Sequence, residues 1–457
     1  MELKEYCFKE LLSRIVDNRG KTCPTAEEGT ALIATNCIKN DELYPVFEKV
    51  RWVDQATMEN WFRGHPEPGD ILFVTKGSPG RCCLVPNPVN FCIAQDMLAL
   101  RADETKVSQR FLFALLRSSI VQNAIVNLYV GTLIPHFKKG DFDQLFLSIP
   151  ESKNVQNKIG DIYFTLSDKI ELNRRMNATL EGMAQALFKS WFVDFDPVLD
   201  NAIAAGNPIP EELAKRAKLR RQALADGTAN REAAKQFPAT FQLTEEMGWI
   251  PEGWEVRSVG ECFRLLGGHS FKSGDYIEDG LYGVVTIKNV QGGSFVQDCS
   301  NRITALPKKM KDHCLLNTGD VLLSLTGNVG RVCIVSDGSY VLNQRVSKIV
   351  GIDQIPEAFS YFYFRQKPLY ERMITIAKGT AQQNLSPIET AKLEQAMPNH
   401  QTIRTLSTIL DSYYQKMIGN ISVNQTLTKL RETLLPKLIS GELRLPDAEK
   451  LAEAAIS

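Results

Sequence analysis

Between Val155 and Trp191 the apolar residues Val155, Ile159, Ile162, Leu166, Ile170, Leu180, Met183, Leu187 and Trp191 fall mostly in steps of three and four. That spacing keeps one stripe on a helix face. The stretch 155–195 contains no proline, so it predicts a single helix. At 1.5 Å per residue its length is roughly 60 Å, more than an ordinary small domain can bury. Such a helix needs a partner.

Residues 402–440 repeat the pattern 247 positions later. Ile159, Leu166, Ile170, Leu180, Met183, Leu187 and Trp191 correspond to Leu406, Tyr413, Met417, Leu427, Leu430, Leu434 and Leu438. NRRMNATL at 173–180 aligns with NISVNQTL at 420–427, so Asn173 and Asn177 match Asn420 and Asn424. Polar residues at seam positions cost stability but fix register and orientation. The two stretches are therefore expected to form an intramolecular antiparallel coiled coil.

The segments between them are also duplicated. PEPGDILFVTKGSPGRCCLV at 66–85 alternates as a strand, turns at Gly77 to Gly80 and returns as a second strand. LNTGDVLLSLTGNVGRVCIV at 316–335 matches it, with Gly69, Asp70, Gly80 and Arg81 each 250 residues before Gly319, Asp320, Gly330 and Arg331. Gly131-Thr132 and Pro150 match Gly379-Thr380 and Pro398, 248 residues apart. The expected fold is α+β: two similar globular α/β domains (1–150 and 256–398) and two long helices (151–195 and 399–441), related by an approximate two-fold. A linker at 196–255 carries a short helix (211–226) with five basic residues between Lys215 and Arg221, and 442–457 reads as a C-terminal tail. The charge order of that helix suits its dipole and a solvated role, with contact to DNA backbone or to a partner as the alternative.

Charge and cysteine usage change this picture little. Lys plus Arg and Asp plus Glu both total 53, so net charge gives no support for a polyanionic partner and no argument against a local basic stripe. The ten cysteines include no CxxC pair and read as reduced thiols, mostly buried. No apolar run reaches a membrane span and the N-terminus is too charged for a signal peptide, which together predict a cytoplasmic protein with no membrane association. Five histidines, His65, His136, His269, His313 and His400, lack metal-ligand spacing. There is no GxxxxGK[ST] loop, no FxGxG or [DNS]PP[YF] box and no HExxH, so no cofactor or metal is expected.

If the helices pair antiparallel, they act as a ruler between two similar heads, which suits duplex DNA with two half-sites on one face. The heads diverge most in their loops: DNRGKTCP against LLGGHSFKSGDY, and FKKGDFDQ against AQQNLSPI. Different loops on one framework imply an asymmetric, bipartite target. Candidate DNA contacts are Arg19, Lys21, Lys76, Lys138 and Lys139 in the first head. In the second they are Lys272, Lys288, Thr326, Asn343, Gln344, Arg345, Lys378, Gln382 and Gln383. Amides pair bidentately with adenine, arginine with guanine, and lysine meets phosphate, and these residues flank glycine turns where backbone approaches closely.

At this point the chain resembles the specificity subunits of type I restriction-modification enzymes. The resemblance rests on DxRGKTxP at the start, the GD-strand-turn-GR hairpin in both halves (PGD in the first, TGD in the second), KIELNRRMNATLEGMAQALFKSWFVDFDPV in the centre, IPEGW, and LRETLLPKLISGELR at the end. It implies two target-recognition domains on paired helices, no catalysis of its own, and binding to double-stranded DNA and to two modification (methyltransferase) subunits. Restriction (endonuclease and translocase) subunits would join through the latter. From residues alone, a stand-alone sequence-specific endonuclease with an unrecognised carboxylate centre remains the alternative.

Overall fold

A computed structural model describes residues 2–18, 22–93, 95–128, 135–379 and 383–456. The first globular segment contains β1 (Leu3–Cys7), β2 (Leu12–Val16), β3 (Thr30–Ile33), β4 (Arg51–Val53), α1 (Gln55–Asn60), β5 (Ile71–Val74), β6 (Cys82–Leu84), β7 (Phe91–Ile93), β8 (Met97–Ala102), α2 (Gln109–Arg117), α3 (Ser119–Asn127) and β9 (Phe146–Pro150). The long helix α4 (Lys153–Phe192) follows, then α5 (Asp196–Ala205), α6 (Ala214–Ala225) and α7 (Arg231–Ala234) in the linker. Next come β10 (Phe241–Thr244), β11 (Gly248–Pro251), β12 (Glu255–Ser258), α8 (Val259–Cys262), β13 (Phe263–Gly267), β14 (Tyr282–Val285), β15 (Arg302–Ile303), β16 (Leu315–Leu316), β17 (Val321–Ser324), β18 (Val332–Ile334), β19 (Tyr340–Leu342), β20 (Val346–Gly351), α9 (Glu357–Phe364), α10 (Lys367–Ile376), α11 (Pro387–Ala391) and β21 (Glu394–Met397). The second long helix α12 (His400–Ser440) and α13 (Leu445–Ile456) complete the order.

Contacts divide the chain into two compact units, Met1–Arg174 with Val423–Ser457, and Arg175–Ser422. In the first unit an antiparallel sheet β2-β8-β5-β6 stands beside β4-β3-β7 and the pair β1-β9. All four residues of β5 are buried, which is why the run Ile71–Val74 is continuously apolar rather than alternating. The first half of α4 and the last half of α12 belong to the same core, through Ile159, Leu166, Ile170, Leu427, Leu434 and Leu438. They run antiparallel: Arg431 donates to Ser167 Oγ at 3.1 Å and Asn173 Nδ2 to Asn424 Oδ1 at 2.8 Å. Here α4 buries more than a seam, since Tyr163 and Phe164 also pack on Phe113, with ring centroids 6.1 and 5.7 Å away. The segment read as a tail forms α13, whose Ala448 and Ala452 are buried in this core.

The second unit repeats the design. β13-β20-β17-β18 has the order and antiparallel pairing of β2-β8-β5-β6, β14 and β19 run parallel as β3 and β7 do, and β12-β21 matches β1-β9. Within this unit the second half of α4 pairs with the first half of α12, where Asn420 Nδ2 donates to Asn177 Oδ1 at 2.7 Å. Here the sequence reading needs correction at Met183, which is 51% exposed; Ala184 and Phe188 are buried instead. Phe188 must cover Phe359 at a centroid distance of 5.2 Å, so the buried stripe turns away from a strict two-helix seam. Leu180, Leu187 and Tyr413 are half-buried, while Tyr414, one residue on, is fully enclosed and donates its hydroxyl to Gly319 O.

The asparagines are built alike in each unit. Asn424 Nδ2 donates to Ile170 O at 3.2 Å, three residues before Asn173, and Asn177 Nδ2 donates to Met417 O at 3.2 Å, three residues before Asn420. The Gly-Asp motif is structural in both hairpins. Asp70 Oδ2 accepts from Glu67 N and Asp320 Oδ2 from Asn317 N, each at 2.8 Å. Each carboxylate also pairs with a cation on the neighbouring strand, Arg101 at 2.6 Å or Lys348 at 2.7 Å. In the linker, Arg216 and Arg220 are held bidentately by Asp196 and Asp200 of α5, so two of the five basic residues of α6 are neutralised within the chain. Among the described residues no helix is long and apolar enough to cross a membrane.

Candidate nucleic-acid interface

At the tip of each β5-β6 or β17-β18 hairpin the chain makes the same set of backbone hydrogen bonds. In the first unit Thr75 N donates to Asp96 O at 2.9 Å, Gly77 N to Pro135 O at 3.0 Å, and Phe137 N to Thr75 O at 2.9 Å. In the second, Leu325 N donates to Arg345 O at 3.0 Å, Gly327 N to Gln383 O at 3.1 Å, and Leu385 N to Leu325 O at 2.7 Å. Lys76 bridges to His136 as Thr326 bridges to Asn384. Gly77 (φ 82°) and Gly327 (φ 69°) take the left-handed conformation that the tip demands and that side chains disfavour. Each unit thus holds three loops in one cradle: the hairpin tip, the turn before β8 or β20, and the loop after α3 or α10.

The second cradle collects most of the residues expected there. Gln344, Arg345, Lys378 and Gln383 are exposed, and Asn343 is half-buried. Asn384 N and O exchange hydrogen bonds with Lys378 at 2.7 and 3.0 Å, which brings Lys378 beside Gln383. Gln344 N donates to His269 O at 3.0 Å, joining the loop after β13. That contact requires Gly268, because a Cβ there would lie 2.3 Å from Asn343 O. Lys272 is exposed three residues further on. Lys288 is exposed too, and its neighbour Ile287 reaches to 3.1 Å from where a Cβ on Gly327 would stand. Thr326 is different: it is 8% exposed and its hydroxyl is enclosed, so it shapes the tip rather than presenting a donor.

In the first unit Lys76 is half-buried at the tip and Lys138 is exposed just after Phe137. Lys138 N is capped by Asp141 Oδ2 at 2.6 Å. Lys139 lines a shallow cavity of about 350 Å³ together with Arg14, Asp17 and Arg63. Arg14 and Arg63 were not expected, since neither flanks a glycine-rich motif; Gly64 is the only hint. Asn18 fixes the position of Arg63, donating to Gly64 O at 3.0 Å and accepting from Arg63 N at 2.9 Å. Arg19, Lys21 and Gln382 lie outside the described residues. His136 and His269, two of the histidines without metal-ligand spacing, both sit on a cradle.

The cradles offer cations and amides on projecting loops, the chemistry that meets phosphate and base edges. Among the described residues no group of three or more His, Cys, Asp or Glu could hold a metal ion. The family model for the type I restriction modification DNA specificity domain matches residues 23–182 and 251–424. The HindI type I restriction enzyme specificity subunit of Haemophilus influenzae is 29% identical over 406 residues, covering 82% of this chain and 86% of the relative. The MjaIX specificity subunit of Methanocaldococcus jannaschii is 22% identical over 400 residues, covering 86% and 82%. The S subunit structure from M. genitalium aligns over 96% of both chains at 17% identity with a TM-score of 0.44. With two matched regions that together span well over half of its length, this chain belongs to the type I restriction-modification specificity family and is a specificity subunit.

Proposed function

We propose that each globular head reads one half-site of an asymmetric, bipartite duplex target, and that the paired helices carry two modification subunits, with restriction subunits joining through these in the cytoplasm. The subunit is the DNA-recognition component and does no catalysis; the curated relatives are named specificity subunits, and a stand-alone endonuclease finds no support among them. The observation that carries the bipartite reading is the pair of cradles: one hydrogen-bond framework, with Lys76, Pro135, His136 and Asp96 at the positions of Thr326, Gln383, Asn384 and Arg345. Equal frameworks present loops to the same kind of ligand, and unequal side chains read different bases.

The test is selection from a randomised duplex library by the full chain assembled with its modification subunits. Two short blocks separated by a fixed unread spacer are expected. Replacing the 378–385 loop by its counterpart from a relative with another target should change one block only. A single continuous block, or a change in both, would overturn the assignment. Native mass measurement of the methylating complex should give two modification subunits per chain.

A further inference from the structure

The turn between β7 and β8 and that between β19 and β20 superpose in sequence: Gln95-Asp96 stands 249 residues before Gln344-Arg345, as Phe91–Ile93 stands before Tyr340–Leu342. Both turns fix their second residue through its main-chain oxygen. Asp96 O accepts from Thr75 N and Oγ1 at 2.9 and 3.0 Å, and Arg345 O accepts from Leu325 N at 3.0 Å. The backbone therefore does the anchoring. Among the described residues neither side chain enters an ion pair. Gln95 and Asp96 are half-buried and line a cavity of about 80 Å³ with Thr22, Arg51 and Trp61, whereas Gln344 and Arg345 are exposed.

A position with the same backbone anchor in both heads and a different side chain in each is where two recognition surfaces can differ in their reading. The two choices here are chemical opposites. Aspartate only accepts hydrogen bonds and suits the exocyclic amine of cytosine, while arginine only donates and suits O6 and N7 of guanine. The preceding glutamine, the same in both turns, suits adenine. Resting on the reading that each head reads one half-site, we propose that this turn is one point at which their base readings part. Asp96 specifies cytosine in one half-site, Arg345 specifies guanine in the other, and Gln95 and Gln344 each specify a neighbouring adenine.

The experiment is library selection and competition binding with the full chain and its modification subunits, comparing the parent with Asp96→Arg, Asp96→Asn, Arg345→Gln and Gln344→Ala. Arg345→Gln should lower the preference for guanine at one position by roughly ten-fold or more, leaving the other half-site untouched. Asp96→Arg should move one position of the opposite half-site from cytosine to guanine, and Asp96→Asn should relax it. Because main-chain atoms hold the turn, the variants should melt with the parent. Should Asp96→Arg misfold, Asp96→Asn and Arg345→Gln decide alone. Loss of affinity that is equal for all sequences, or base preferences that do not move, would overturn the inference. A parent chain that selects no bipartite target at all would instead overturn the one-head-per-half-site reading.

Discussion

The asparagine pairs make a quantitative test of the paired helices. Asn173 is 4% exposed, and its amide donates to Asn424 Oδ1 at 2.8 Å. Replacing Asn424 with leucine removes that acceptor and leaves a buried N–H without a partner, which costs about 1–3 kcal/mol. Ile170 O loses its second donor but keeps its place in the helix ladder, so it adds little. Replacing both residues with leucine removes the unmet group and adds apolar surface to the seam. Asn173→Leu with Asn424→Leu should therefore be close to the parent in stability or above it, and a double-mutant cycle should show coupling of about 1–2 kcal/mol. Urea unfolding followed by the helix signal reads this directly. With a slope of about 1–3 kcal/mol per molar, each single variant should move the midpoint down by about 1 M. Asn177→Leu in the other unit should cost the same, because Asn420 then loses the equivalent acceptor at 2.7 Å. The reasoning is refuted if the two single costs simply add in the double variant, or if either single variant is as stable as the parent.

Inserting one heptad at matching points in α4 and α12 should lengthen each by about 10 Å and widen the unread spacer by about three base pairs, with both half-site sequences kept; an unchanged spacer with altered half-sites would reverse the assignment. Gln383→Ala should relax preference at one base pair, whereas Lys378→Ala should weaken all sequences alike and reduce the salt slope by about one, and titrations of affinity against salt would expose the opposite pattern. Burial pushes the Cys92 thiol up to about 12 and Cys299 up to about 11. Because these folded values are raised, the stability linked to them is fully present below the unfolded thiol range and fades as pH rises through the folded values. Alkylation at pH 8 should accordingly spare Cys92 and Cys299 until urea unfolds the chain, and fast labelling of either in the native protein would contradict their burial.

Local pattern was enough for the helices, the duplication and the asparagine register, because each depends on the spacing of residue types along one segment. A three-four stripe can only be buried as a helix face, and seam asparagines in step can only satisfy one another in one register. What the stripe faces is another matter. Met183 and Ala184 both fit a helical repeat, and only the position of Phe359 and its neighbours decides that Ala184 and Phe188 turn inward. Tyr413 and Tyr414 are separated for the same reason, by Gly319 lying close enough to accept one hydroxyl. The proposed recognition surface divides likewise. Lys378, Gln383 and Arg345 are legible as polar residues beside turns, whereas the role of Asp96 follows from its main chain holding the place of Arg345. Asn18 needed Gly64, 46 residues away, to show its purpose. Thr326 had the right chemistry and the right turn, yet its hydroxyl is enclosed. Loop trajectories follow from contacts between segments far apart in the chain, and those contacts exist only once the sheets have formed.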